Sequence, residues 1–275
     1  MTETIRLHQG WEFWLDEACG TELPEKAAFS PVPIPHDWMI WRENLYEDGT
    51  GWYRRRLHVA RGPGERIALF FEGVYMDAAV FVNGRPAGEW KYGYTSFHFD
   101  VTELLTDGEN EVLVRCAVRH PNSRWYAGAG IYRDVELWRY PERHLEPWGL
   151  YVAPREQADG TWRVSVRAEV SGGAEGRVEF RLLDGGTPLD TLRAKPEGGY
   201  ASGEFSVRNP RLWEIDDPHT YRLEAVLLED GREADRQETR FGFRIYSCRG
   251  AGLTFLISAS KRRNEPYRER INGRK

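Results

Sequence analysis

Cysteine, methionine and long apolar runs are what this sequence has least of. Its three cysteines, Cys19, Cys116 and Cys248, are odd in number and form no C-x-x-C pair, which argues against a disulfide framework or a zinc site. Cys116 falls on an apolar strand face, where a free buried thiol is the expectation. No stretch approaches the roughly 18 apolar residues of a membrane span. The opening Met1-Thr2-Glu3-Thr4-Ile5-Arg6 has neither the basic nor the apolar region of a secretion signal, so a cytoplasmic chain is expected. Charge of one sign is also missing. A net −5 spread along the chain gives the body no attraction for nucleic acid or membrane.

Aromatics are what the chain has in excess. Eleven Trp and 13 % aromatics against three Met favour aromatic-rich β architecture over helical bundles, and 275 residues suffice for two ordinary domains. The densest stretch is Arg124-Trp125-Tyr126-Ala127-Gly128-Ala129-Gly130-Ile131-Tyr132-Arg133-Asp134-Val135. Glycines two apart permit positive φ and a tight fold, and Ile131, Tyr132 and Val135 read as the start of a strand. An aromatic loop between strands is either a core plug or the wall of a sugar-sized pocket.

Before it, residues 1–60 read as irregular, aromatic-laden β structure, with Pro31, Pro33 and Pro35 suited to an edge or a crossing loop. From Ile67 the alternation becomes regular. Ala78–Val82 runs into Asn83-Gly84, a strong hairpin signal. Phe97, Phe99 and Val101 alternate with polar residues, and Val112, Val114, Cys116 and Val118 face inward opposite Arg115 and Arg119. Short strands, close turns and no amphipathic helix predict an antiparallel sandwich. A second set follows Tyr140-Pro141, with alternation over 162–169, 178–182, 205–207 and 221–227 and turns at Asp184-Gly185 and Asp230-Gly231. About seven short strands in roughly 100 residues is the size of an immunoglobulin-like sandwich, here without a Cys…Trp…Cys staple.

Residues 246–275 change character, with eight Lys/Arg against two Glu. They read as a poorly ordered basic end.

Chemistry-bearing motifs are few. His36 and Asp37 are adjacent, so on extended backbone they point to opposite faces and form no dyad; anchoring the loop is the better reading. His98 and Asp100 share a face, but two ligands make no metal site. Gly128-Ala129-Gly130 lacks the strand-to-helix setting of a dinucleotide fingerprint, and neither a cofactor nor a metal is expected. Trp125 and Tyr126 beside Arg124 offer flat faces for sugar C–H groups together with hydrogen-bonders.

The ordered set His36-Asp37-Trp38, Gly51-Trp52-Tyr53-Arg54, Phe71-Glu72-Gly73-Val74, Val82-Asn83-Gly84, Gly93-Tyr94 with Phe97 and Asp100, and Arg124-Trp125-Tyr126 through Gly130-Ile131-Tyr132-Arg133 resembles family 2 glycoside hydrolases. Asn209-Pro210, Leu212-Trp213, Pro218, Tyr221 and Phe241-Gly242-Phe243-Arg244 continue the likeness. The resemblance implies an all-β chain, with a jelly-roll sugar-binding-like domain over 1–141 and an immunoglobulin-like β-sandwich over 142–245; the basic tail occupies 246–275. It also implies that the aromatic loop and the one around Asn44 face a glycan, making Asn44, Arg124, Trp125 and Tyr126 the candidate substrate-binding residues.

In the family a catalytic (β/α)₈ barrel of about 250 residues follows, and after Arg244 this sequence departs from that pattern. Asn264-Glu265-Pro266 copies the tripeptide around a barrel acid/base glutamate, but Ser260-Lys261-Arg262-Arg263 precedes it in place of an apolar strand. Retaining hydrolysis needs two carboxylates about 5–5.5 Å apart, and none is placed to partner Glu265. The expectation is a non-catalytic N-terminal portion of a β-glycoside hydrolase, a truncated frame being one origin for it. Two rivals stand beside it. One is a glycosidase completed by a separate barrel chain; the other is a stand-alone lectin-like or assembly module that self-associates through an apolar patch.

Overall fold

The computed structural model describes residues 3–244 apart from 123, 124, 126 and 174, so the basic tail and its Asn264-Glu265-Pro266 lie outside the described residues. Two compact units divide between Glu142 and Arg143.

The first unit carries ten strands: β1 Glu3–Arg6, β2 Trp11–Asp16, β3 Ser30–Val32, β4 Gly49–Val59, β5 Glu65–Phe71, β6 Ala78–Val82, β7 Arg85–Trp90, β8 Phe97–Asp100, β9 Gly108–Val118 and β10 Val135–Pro141. They form two antiparallel sheets, ordered β1-β10-β5-β8 and β3-β2-β4-β9-β6-β7. The inner faces meet in one core that includes Trp11, Tyr53, Phe71, Val80, Val114 and Ile131. The longest pairing joins β4 to β9, from Gly49 opposite Val118 to Val59 opposite Gly108. Asn83 and Gly84 both adopt positive φ, 51° and 73°, the geometry of the two-residue turn that closes β6 on β7. Pro31 sits in β3 at the sheet edge, where no ladder donor is lost.

Two sequence expectations are corrected here. Residues 1–60 are not irregular: β2 and the eleven-residue β4 are regular strands of the larger sheet. They escape the alternation test because residues 49–53 of β4 are buried on both faces. Nor do Ile131 and Tyr132 begin a strand, since β10 starts at Val135. The Ile131 carbonyl is taken by the His36 N–H (2.8 Å) and the Tyr132 hydroxyl by the Gly93 carbonyl (2.7 Å), holding this segment outside the ladder.

The second unit has seven strands: β11 His144–Glu156, β12 Thr161–Ser171, β13 Arg177–Asp184, β14 Thr187–Ala194, β15 Tyr200–Arg208, β16 Tyr221–Glu229 and β17 Arg232–Phe241. Sheets β11-β12-β15 and β14-β13-β16-β17 are antiparallel. Between them lies a core including Trp162, Val164, Phe180, Leu223, Leu227 and Phe243. A jelly-roll β-sandwich followed by an immunoglobulin-like one is therefore the architecture. Among the described residues there is no α-helix, only a 3-10 turn at Trp38–Trp41, and no helix long and apolar enough to cross a membrane.

Candidate functional site, an aromatic rim on the first sandwich

The aromatic loop rests on a locked base. His36 N–H donates to the Ile131 carbonyl (2.8 Å) and Trp38 N–H to the Ala129 carbonyl (3.1 Å), so 36–38 and 129–131 run as a short ladder. Gly130 and Tyr75 exchange both backbone hydrogen bonds, at 2.7 and 2.9 Å. Asp37 joins the two segments: its Oδ1 accepts from Met39 N–H (2.9 Å), capping the 3-10 turn, and from Ala129 N–H (3.0 Å). Below them Phe13 stacks on Trp38 at 5.5 Å and packs on Tyr53 at 4.9 Å.

Two glycines make the approach sterically possible. Gly130, at φ +120°, has no room for a Cβ, which would fall against the Tyr53 hydroxyl and 2.7 Å from the His36 carbonyl oxygen. Gly128, at φ +81°, lies where a Cβ would sit 3.0 Å from Asp37 Oδ2.

His36 and Asp37 thus have separate tasks. His36 Nδ1 lies 2.8 Å from the fully buried Tyr53 hydroxyl. Burial lowers the His36 pKa from its ordinary value, with the Asp37 charge opposing. The same burial pushes the Tyr53 phenol well up. Both groups are neutral near pH 7 and hold the loop by hydrogen bonding. His98 and Asp100 also part company: Asp100 pairs with Arg66 (2.7 Å) while His98 packs beside the Trp138 ring (5.5 Å). No group of three metal-capable side chains occurs among the described residues.

Above this base stands an exposed aromatic rim. Trp125 is 63 % exposed, and its indole N–H points to the Tyr94 hydroxyl at 3.4 Å. Tyr94 packs edge-on against Tyr75 (5.2 Å) and Tyr92 (5.7 Å). The segment carrying Tyr92 and Tyr94 is fixed by Tyr132 on the Gly93 carbonyl and by Trp90 Nε1 on Thr95 Oγ1 (3.2 Å). Gly93 has the Tyr75 ring where a Cβ would be. Tyr92 and Tyr94 are the rim residues that the candidate set from sequence leaves out; two tyrosines flanking a glycine between β7 and β8 were the available signal.

Of the sequence candidates, Trp125 is on the rim, and Arg124 and Tyr126 lie outside the described residues. Asn44 is exposed, and its Oδ1 turns back to accept Tyr46 N–H (3.1 Å). Its loop meets His120, which follows β9, through Tyr46, whose ring lies edge-on to His120 at 5.8 Å, and through Asp48, which accepts the His120 N–H at 2.7 Å.

A jelly-roll with an exposed aromatic rim, followed by an immunoglobulin-like sandwich, is a two-domain β architecture found among carbohydrate-active proteins. The chain belongs to family 2 of the glycosyl hydrolases: the family's sugar binding domain matches residues 27–141 and its following domain residues 144–244. A β-galactosidase of Bacteroides ovatus is 31 % identical over 86 % of this chain, which spans 31 % of that protein. A β-glucuronidase of Bacteroides fragilis is 28 % identical over 78 % of the chain, which spans 35 % of it. A solved β-glycosidase from Bacteroides vulgatus superposes with a TM-score of 0.76 at 27 % identity, covering 89 % of this chain and 34 % of that one. The chain thus spans about a third of these relatives, and the (β/α)₈ barrel is not among its described residues.

Proposed function

We propose that this chain is the sugar-facing portion of a β-glycoside hydrolase, meeting a glycan at Trp125, with Asn44, Arg124 and Tyr126 as further candidate contacts. One observation carries the reading: a tryptophan left 63 % exposed at the top of a loop whose base is otherwise locked. An indole face matches the C–H face of a pyranose, and Tyr94 supplies an adjacent hydroxyl for its ring substituents. The Trp125 indole N–H resonance, assigned by its loss in Trp125→Ala, is expected to shift on titration with β-galactosides or β-glucuronides. A resonance unmoved by millimolar sugar of both kinds would remove the proposal.

Hydrolysis is not expected of the chain alone. A retaining site needs two carboxylates held about 5–5.5 Å apart on a rigid scaffold. The 275 residues should leave chromogenic β-galactosides and β-glucuronides unturned. Turnover that disappears in Glu265→Gln would overturn this.

The share of the relatives that the chain spans favours a second reading, in which a catalytic barrel completes the site. Activity that appears only on mixing with a barrel polypeptide, and that falls with Trp125→Ala, is its expected result.

A further inference from the structure

The second sandwich carries a groove that the reading above does not use. It is an open depression of roughly 630 Å³ on the outer face of sheet β11-β12-β15, lined by Tyr151, Ser165, Arg167, Ser202 and Glu204. Strand register builds it. Tyr151 lies opposite Arg167, and Arg167 opposite Ser202, in one row across the three strands. Tyr200 stands two residues along β15, on the same face. Inward-facing Val164, Val166 and Ala168 bury the other face of β12, so the row has no alternative orientation.

The charges of the groove are unevenly satisfied. Glu204 is engaged on both oxygens, by Ser165 Oγ at 3.1 Å and by Arg163 Nε at 3.7 Å. Arg167 differs. Its guanidinium carbon lies 4.9 Å from the Tyr200 ring centre and 5.7 Å from that of Tyr151. No described residue offers it a hydrogen bond or a carboxylate. A cation positioned by two aromatic rings keeps its N–H donors for an incoming acceptor. Both rings remain accessible, Tyr151 at 52 % and Tyr200 at 40 %.

We propose that this groove is a second saccharide site, selective for sugars bearing a carboxylate. The uronate carboxyl would pair with Arg167, while Tyr151 and Tyr200, on strands about 10 Å apart, would take the C–H faces of adjoining pyranose rings. Tyrosine faces on both sides of the arginine favour a sugar over an acidic peptide, whose backbone offers no comparable flat apolar face.

Calorimetric titration of the full chain tests the assignment, with trigalacturonate, neutral galactotriose and a triglutamate peptide as probes. Trigalacturonate is expected to bind about tenfold or more tightly than galactotriose, since one of its carboxylates adds a charged hydrogen-bonding pair with Arg167 that galactotriose cannot make, and to weaken as salt is added. Arg167→Gln should abolish that preference and Arg167→Lys restore part of it, with circular dichroism reporting that both stay folded. Amide shifts confined to 149–153, 163–169 and 200–206 would place the ligand in the groove. Three results would each overturn the proposal: undiminished binding by Arg167→Gln, triglutamate binding as tightly as trigalacturonate, and no heat from any sugar with folded wild-type chain. Because none of these readouts involves Trp125, failure here leaves the rim site standing, and the reverse.

Discussion

Gly130 is where the rim depends most on a single atom that is missing. At φ +120° an L side chain is strained whatever the space, and here its Cβ would also meet the Tyr53 hydroxyl and the His36 carbonyl. Those two groups belong to a buried core strand and to the ladder, so neither yields cheaply. Gly130→Ala is expected to cost about 2–4 kcal/mol in urea unfolding; a loss under about 1 kcal/mol would mean that the loop base is softer than its hydrogen bonds imply. His36 adds a pH dependence of definite sign. Burial lowers its pKa below the ordinary 6.5, and the nearby Asp37 charge only partly offsets this. Well above pH 6.5 the ring is neutral in both states and contributes nothing. As pH falls below that value the unfolded chain takes up a proton that the fold resists, so stability drops until the folded pKa is passed. Urea midpoints at about pH 7.5 and about pH 5.5 should therefore differ more for wild type than for His36→Gln, and equal differences would refute the effect.

At the scale of elements, legibility followed the contrast between a strand's two faces. Strand β12 alternates Val and Ala inward with Arg and Glu outward and is plain in the sequence. Strand β17, Arg-Glu-Ala-Asp-Arg-Gln-Glu-Thr-Arg-Phe, is not, because its inward positions Asp235, Gln237 and Thr239 are polar. Buried Asp235 accepts the Leu145 N–H at 3.0 Å, and Gln237 donates to the Leu145 and Glu146 carbonyls at 2.6 and 2.9 Å. A polar inward face is affordable there since it satisfies the backbone of β11, but no periodicity announces it. The rim was half legible for a related reason. Trp125 belongs to one conspicuous run, whereas Tyr94 meets it from 31 residues away through the β7–β8 connection. Glu179, which the alternation over 178–182 places outward between Val178 and Phe180, is buried beneath Arg181 (2.6 Å) and Arg193 (2.6 Å). Burial alone would raise its pKa, and the hydrogen bonds from Arg193 and Arg181 outweigh that and lower it. Its contribution is thus present above the ordinary value of 4.5 and is lost as pH falls through the folded pKa. Glu179→Gln should cost about 1–2 kcal/mol at neutral pH. That is less than for a fully buried pair, because Arg193 at 62 % and Arg181 at 33 % exposure can turn back to water. A variant as stable as wild type at neutral pH would show the pair to be ornamental.

For the whole molecule, the decisive property is that each sandwich closes its own core. The first draws on residues from Leu7 to Leu137 and the second on residues from Leu145 to Phe243, with no residue in common. The second unit also keeps its own ladders, from the β11–β12 pairing to that of β16 with β17. A polypeptide of residues 143–244 is therefore expected to fold alone, with a β-type dichroism spectrum and one calorimetric transition of roughly 70 kcal/mol. The same transition should appear in the full chain, beside a second from residues 3–142. An unfolded fragment would mean that the division at Glu142 is one of contacts and not of stability. If the division holds, it separates the two proposed sites without a mutation. A ligand raises the melting temperature of the unit whose native state it binds. A β-galactoside seated on Trp125 must then shift only the first unit's transition, and trigalacturonate at Arg167 only the second's. A sugar that moves the opposite transition would reassign its site to the other sandwich.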